Sequence, residues 1–445
     1  MNTTPIASPS STPASPSIFD HFAGIPDPRI NRTRRHELVD ILVIAICTLL
    51  CGGEGFNDLE DFGKAKEDWF RTFLRLPNGI PTHDPFNRIF SSLAPDRFLD
   101  SLLSWTQSLR QAVGEEIVAM DGKALRRALK EGDMPYVVSA WAVRNGLVLG
   151  QLRVDEKANE ITAVPKLLRA LDLAGCIVTI DAMGCQKRIA REIIEADAND
   201  VLALKGNHET VHDEVRAYLD DAILHTPGEL AYTETVEKDH GRIETRRYWQ
   251  SDRIAWFADR EKWEGLCSVG VVESIREIKG QTQTERRYFL NSLPLDAPRF
   301  ARAVRSHWGV ENQLHWVLDV QFNEDQSRAR SGHDPENLAT LRRLALILLK
   351  RDTIKKRGIR GKQKMPAGAT PISSTSWDWR FRCVRPAILL TPPCFFIRYE
   401  QSGRGGTVRR WAGYGGFLGI PPMWNDIPLA HRQELPESRE VAGRE

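Results

Sequence analysis

The residues best suited to chemistry are three acids far apart in the chain. Asp121 ends the apolar run Ile117-Val118-Ala119-Met120, and Asp181 ends Cys176-Ile177-Val178-Thr179-Ile180. Glu311 lies in RSHWGVENQLHWVLDVQFNEDQSRAR, Arg305 to Arg330, where Val310, Leu314, Val317 and Leu318 recur at helical spacing. A carboxylate flanking such an apolar face is costly unless something pairs with it. Two strand-end aspartates and one helix glutamate offer only oxygen donors, the type that hard divalent cations take. Two such cations activate water and steady the leaving oxygen in phosphodiester chemistry. A plainer reading exists for each acid. An aspartate after a strand often caps a turn, and Asp319 and Glu324 stand near Glu311 as alternatives.

The elements that must position these acids can be read from periodicity. Strands are expected at 116–121, 135–143 and 147–154, the last two joined by an Asn145-Gly146 hairpin turn. A helix near 161–172, a strand at 176–181, a helix at 186–195 and a strand at 200–205 come next, which makes the class α/β. Residues 228–296 read as mostly β, and 337–351 as an amphipathic helix with Leu338, Leu341, Leu344, Leu348 and Leu349 on its buried side. Upstream, Phe19 to about Leu109 alternates helical patterns with turns. Helices are expected at 37–51, stopped by Gly52-Gly53, at about 57–75, and from Asp84 with Thr82 as cap.

Composition bounds the rest. A chain of 445 residues can hold two to three domains. The net charge of +2 hides a run at 342–364 with ten Lys or Arg against Asp352 alone. The seven cysteines form no C-x-x-C pair, which points to a reducing compartment, the cytoplasm. The Ser/Pro-rich residues 1–17 are not a signal peptide and have little to bury, so disorder is expected there. The apolar run from Leu38 to Cys51 is too short to cross a bilayer, so no membrane association is expected.

Several stretches together carry a resemblance: AMDGKALR at 119–126, VDEKANEITAVPKLL at 154–168, VTIDAMGCQK at 178–187, VLALKGNH at 201–208, HGRIETR at 240–246, the 305–330 stretch, and NLATLRRLALILLKR at 337–351. Over roughly residues 18 to 364 the chain resembles a DDE insertion-sequence transposase of the H-repeat-associated type, within the retroviral integrase superfamily. The resemblance implies an RNase H-like catalytic core at 113–364 with a β insertion at about 228–296, preceded by a helical transposase-associated domain at 18–112. It implies Asp121, Asp181 and Glu311 as both catalytic residues and metal ligands, with two Mg²⁺ ions, or Mn²⁺, as cofactors. The partners it implies are DNA, as element terminal repeats and target, and further copies of the chain in a synaptic complex. The setting it implies is the bacterial cytoplasm and nucleoid.

Within that frame Lys123, Lys205 and Arg305 are expected phosphate clamps, although the spacing of Arg305 from Glu311 departs from the Tyr-Arg-Glu-Lys signature of related transposases. His240 and Arg242 are expected to touch DNA ends. Lys355, Lys356 and Arg357, with Arg360, Lys362 and Lys364, suit a phosphate backbone. A zinc site at His307 and His315 is disfavoured, because no cysteine or third histidine lies nearby in sequence. A nuclease that cuts without joining, and a DNA-binding copy without activity, are the competing readings.

The tail does not fit the family. From about Met365 the chain is proline-rich and aperiodic, and four of its twelve tryptophans lie beyond residue 376. Back-translating Ala369 to Ser376 and shifting frame yields Asp-Ala-Asp-Phe-Leu-Tyr-Lys, close to the family's ending. A frameshift near residue 368 is therefore expected to have replaced the native end, leaving 365–445 mostly disordered. The gene's nucleotide sequence checks this: a shifted frame there should encode a family-like ending, and its absence rejects the frameshift.

Overall fold

In the computed structural model, residues 18–110, 115–128, 135–154, 160–239, 242–278, 280–352 and 356–367 are described. The leader expected at 1–17 and residues 368–445 of the expected tail lie outside them. Six helices come first: α1 (Ile18–Phe22), α2 (Leu38–Leu50), α3 (Phe56–Ala65), α4 (Glu67–Phe70), α5 (His83–Ser92) and α6 (Pro95–Leu109). The helix expected at 57–75 is thus two, because Lys66 leaves helical geometry at φ −122° and ψ 16°. Thr82 does precede α5, but its side chain makes no capping hydrogen bond. α2, apolar nearly all round, is buried on every side except at Val39, as its sequence requires.

Next come β1 (Ile117–Ala124), β2 (Tyr136–Ala142), β3 (Leu147–Val154), α7 (Glu160–Ala170), β4 (Ile177–Ile180), α8 (Lys187–Glu195) and β5 (Asn199–Leu204). Gly146 closes the β2–β3 hairpin at φ +64°, a conformation glycine adopts without strain. The order β3-β2-β1-β4-β5, with β1, β4 and β5 parallel and β2 and β3 antiparallel, is that of the expected RNase H-like core. β4 reads Ile-Val-Thr-Ile and is buried throughout, as a central parallel strand must be.

After α9 (Glu209–His225) the expected β stretch appears as β6 (Ala231–Asp239), β7 (Arg242–Ser251), β8 (Ser268–Ile278) and β9 (Gln281–Asn291). These strands do not form a sheet of their own. β9 pairs antiparallel with β5, from Val201 opposite Asn291 to Leu204 opposite Tyr288, so the sheet has nine strands. α10 (Ala297–Val310) then crosses this extension. It lies close because Gly270 on β8 leaves room for Phe300, whose ring atoms stand 2.6–3.1 Å from where a Cβ would be.

α11 (Trp316–Phe322), α12 (Asp334–Arg351) and α13 (Ile359–Ala367) complete the described chain. α12 differs from the amphipathic helix expected. It packs against α2, α5, α6, α11 and β3, and is buried over most of its circumference, including Arg342 and Arg343. The ten-cation run is accordingly not one basic surface, since Arg342, Arg343 and Lys362 are all buried. One continuous apolar core runs from the first helices through β1–β5 to α12. Among the described residues no helix is long and apolar enough to cross a membrane.

One buried acid makes stability depend on pH. Asp200 on β5 is 4% exposed, and its Oδ1 accepts the Ser292 amide at 2.8 Å. Burial raises its pKa to about 7, outweighing the Ser292 hydrogen bonds that oppose the rise. Below the unfolded value near 3.8 the carboxyl is neutral in both states, so the group costs nothing. As pH rises towards 7 the unfolded chain ionises first, and stability is lost. Asp200→Asn keeps the acceptor without the charge. Urea denaturation at pH 5 and pH 8 should show wild type losing about 2–3 kcal/mol more than the variant. Equal losses would mean the carboxylate is tolerated ionised in place.

Candidate active site

β1 and β4 run parallel with Met120 paired to Ile180, so the next residues, Asp121 and Asp181, emerge side by side. Asp121 continues β1, opposite Ser139 of β2, and its Oδ1 accepts the Gly122 amide at 2.9 Å. Asp181 starts a tight turn, and its Oδ1 accepts the amides of Met183 at 3.1 Å and Gly184 at 3.4 Å. That turn folds back on the strand: a Cβ on Gly184 would lie 2.2 Å from Ile180 Cγ2. Glu311 opens a π turn, Glu311–His315, between α10 and α11. One extra residue in the turn rotates α11 relative to α10, a device common at functional sites. Val310 and Leu314 are fully buried while Glu311 stays exposed beside them, so the apolar stripe read from sequence anchors the turn.

All three acids line one cleft of about 160 Å³ between α10 and the sheet. Thr179 and His307 lie between them, with His307 Nδ1 3.0 Å from Thr179 Oγ1. Burial holds the His307 pKa below its ordinary value, although the charges of Asp121, Asp181 and Glu311 pull the other way. Burial alone would raise the Asp121 pKa. His315, whose Nδ1 lies 3.4 Å from Asp121 Oδ2, and the Gly122 amide help reverse that and lower it. Asp121 is therefore an anion near neutral pH.

Cations line the same cleft. Lys205 and Arg305 line it, as does Arg246, and Arg287 stacks 4.8 Å from the Trp308 ring centroid. Arg246 and Arg305 converge on Glu237 at 2.8 and 3.1 Å. Sequence reasoning missed Arg246 and Arg287. Arg246 ends HGRIETR and shares a strand face with Arg242 and Glu244 by alternation, which was the available signal. Arg287 gave none, because its place depends on β9 joining the core sheet.

Other expected residues lie elsewhere. Arg242 is about half exposed on β7, 3.5 Å from Glu244 and away from the cleft. Lys356 and Arg357 are exposed between α12 and α13, also away from it. His240 and Lys355 lie outside the described residues. Lys123 is corrected: its side chain is 7% exposed, with Nζ 2.7 Å from Asp319, 2.8 Å from Asp325 and 3.4 Å from Glu324. An ammonium held by three carboxylates is not free to clamp a phosphate. The same contacts separate Glu311 from its alternatives. Glu324 is fully buried, 3.0 Å from the equally buried Arg343. Burial opposes its ionisation, but Arg343, Lys123 and Arg342 outweigh that and hold its pKa at about 2. Neither Glu324 nor Asp319 lines the cleft.

A model of the transposase DDE domain matches residues 114–348, and one for the segment associated with that domain matches residues 19–106. The chain belongs to the transposase DDE family. One relative, "H repeat-associated putative transposase YhhI" of Escherichia coli K12, is 36% identical over 359 residues, 79% of this chain and 94% of that one. Another, YncI of Escherichia coli O157:H7, is 37% identical over 358 residues, 79% of this chain and 92% of that one. A protein encoded in the dhlA 3′ region of Xanthobacter autotrophicus is 44% identical over 288 residues, 63% of this chain and 96% of that one. A piggyBac transposase synaptic complex with hairpin DNA overlaps at TM-score 0.36 and 10% identity, covering 82% of this chain and 80% of that one, too loosely to add to the family assignment.

For this DDE family member, the fit to divalent cations rests on donor chemistry. Among the described residues no three His, Cys, Asp or Glu stand close enough together to hold an ion as they are. The three carboxylates nonetheless open on one cleft, and Asp121 is ionised there. Oxygen donors alone select Mg²⁺ or Mn²⁺ rather than a soft ion.

Substituting the two glutamates should separate their roles. Glu324→Gln leaves Arg343 and Lys123 short of a buried counter-charge and should cost about 3–5 kcal/mol in urea denaturation. Glu311→Gln, on the exposed side of its turn, should stay within about 0.5 kcal/mol of wild type. The reverse ranking would put the catalytic glutamate at 324.

Proposed function

We propose that this protein is an insertion-sequence DNA transposase that cleaves a phosphodiester at each element end and joins the freed 3′-hydroxyl to target DNA. The observation that carries this reading is one cleft lined both by Asp121, Asp181 and Glu311 and by four cationic side chains. Bound at these acids, two Mg²⁺ or Mn²⁺ ions would supply Lewis acidity to both the attacking and the leaving oxygen. Asp121, Asp181 and Glu311 are the residues that would hold these ions, each through carboxylate oxygens.

The chain's own groups do the positioning. The Met183 and Gly184 amides fix the Asp181 carboxylate, and His315 fixes that of Asp121. Lys205, Arg246, Arg287 and Arg305 would receive the phosphates flanking the scissile bond. Arg246 and Arg305 are already paired with Glu237, so an entering phosphate displaces or shares that carboxylate. Exposed Lys356 and Arg357 would add backbone contacts outside the cleft, and Arg242 contacts along the β7 hairpin. No covalent protein intermediate is needed. The reading places the protein on DNA in the bacterial cytoplasm, assembled with further copies of itself at paired ends.

Purified protein should nick and then join a labelled element end only with Mg²⁺ or Mn²⁺. Asp121→Asn, Asp181→Asn and Glu311→Gln should each lower nicking by about 10²–10³-fold while leaving DNA affinity within about twofold. Nicking without joining would make it a nuclease. DNA binding with no nicking under any divalent cation would make it a binding protein.

A further inference from the structure

A buried cluster of charges surrounds Lys123. Lys123 lies two residues after Asp121 on β1, so both side chains point to the same face. On the facing helix, His315 reaches Asp121 and Asp319 reaches Lys123, at 3.4 and 2.7 Å. Two strand residues span about 6.6 Å, and four helical residues span about 6 Å. Strand and helix therefore meet rung for rung, 121 with 315 and 123 with 319. Glu311 opens the π turn that leads into His315, and it lines the cleft.

The Lys123 rung is also tied from behind. Its ammonium holds Asp325 at 2.8 Å and Glu324 at 3.4 Å, and Glu324 is held by Arg343 of α12 at 3.0 Å with both side chains fully buried. β1, α11 and α12 are thus joined through two cations, Lys123 and Arg343. A sliding of α11 along β1 would carry Glu311 away from Asp121 and break all of these pairs together. We propose that Lys123 is a positioning residue: through Asp319, Glu324 and Asp325 it sets the register between the strand bearing Asp121 and the helix bearing Glu311, and so the spacing of the metal-binding carboxylates. This rests on the transposase reading for the identity of those carboxylates. It replaces a phosphate contact for Lys123 and makes a different prediction.

The test uses the full chain and Mn²⁺ itself, followed by electron paramagnetic resonance, alongside nicking of element-end DNA and the salt dependence of DNA binding. Lys123→Met should weaken Mn²⁺ binding by about tenfold or more, within the range for losing an outer supporting contact. The Mn²⁺ concentration for half-maximal nicking should rise in step, and the salt slope of DNA binding should not change. Lys123→Arg should restore part of the Mn²⁺ affinity. Should Lys123→Met not fold, Asp325→Asn removes one of the three partners and should shift Mn²⁺ affinity the same way, by less. Mn²⁺ affinity equal to wild type in a folded variant overturns the positioning role alone. A lower DNA affinity with a salt slope reduced by about one and unchanged Mn²⁺ binding makes Lys123 a phosphate clamp instead. Wild-type protein in which Mn²⁺ binding is absent, or is unaffected by Asp121→Asn, overturns the metal-site reading and the positioning role with it.

Discussion

Three carboxylates from distant parts of the chain must open on one cleft, and the rest of the structure answers that constraint. Each is oriented by groups of its own neighbourhood. Asp181 takes two amides of the turn it opens, Asp121 takes the Gly122 amide and His315, and Glu311 stays on the exposed side of a turn pinned by Val310 and Leu314. These local supports do not by themselves hold strand and helix together. That falls to the buried charges at the other end of the contact, where Lys123, Glu324 and Arg343 lose their hydration only because they satisfy one another. One turn beyond the cleft, opposite charges draw strand and helix together.

The parts legible in the sequence were those set by local rules. Asp121 and Asp181 stood out because a buried parallel strand is an unbroken apolar run, so the first acid after it marks the strand's end. The β2–β3 hairpin was legible from Asn145-Gly146, and the Glu311 helix from the spacing of Val310, Leu314, Val317 and Leu318. Lys123 was misread for a physical reason: the acids that hold it lie about 200 residues away, and no local pattern distinguishes a lysine with three buried partners from one facing solvent. Arg342 and Arg343 misled in the same way. Their charges mark a polar face on a helical wheel, yet α12 runs through the interior and the charges are met by Glu324. The π turn at Glu311–His315 was illegible because it arises from packing at both ends of the segment, not from any residue's preference.

The sheet extension explains why acids and cations share one cleft at all. Asp121 lies within β1 and Asp181 directly follows β4, and neither strand carries a cation that lines the cleft. β7 and β9 bring Arg246 and Arg287, and they do so only because β9 pairs with β5 and continues the same sheet. Had β6–β9 folded as a separate layer, the cationic side chains would have no fixed distance from the carboxylates. α10 spans both halves. It rests on β8 where Gly270 admits Phe300, lends Arg305 and Trp308 to the cationic lining, and delivers Glu311 at its far end.

That placement makes one helix the link between two requirements that would otherwise be independent. Along α10 the residues facing the cleft run from Val304 and Arg305 through His307 and Trp308 to Glu311, so the sign of the lining changes within two turns. In the proposed reading, a phosphate held by the arginines would lie in the same cleft as the acids. The competing carboxylate, Glu237, sits on β6 at the sheet's edge, where it neutralises Arg246 and Arg305 until a stronger anion replaces it. The half-exposed Arg305–Glu237 pair contributes little to stability, whereas Arg246 also keeps the buried Glu244 at 2.7 Å. The deep pairs around Lys123 are the reverse case, and they lie where the geometry of the acids has to stay fixed.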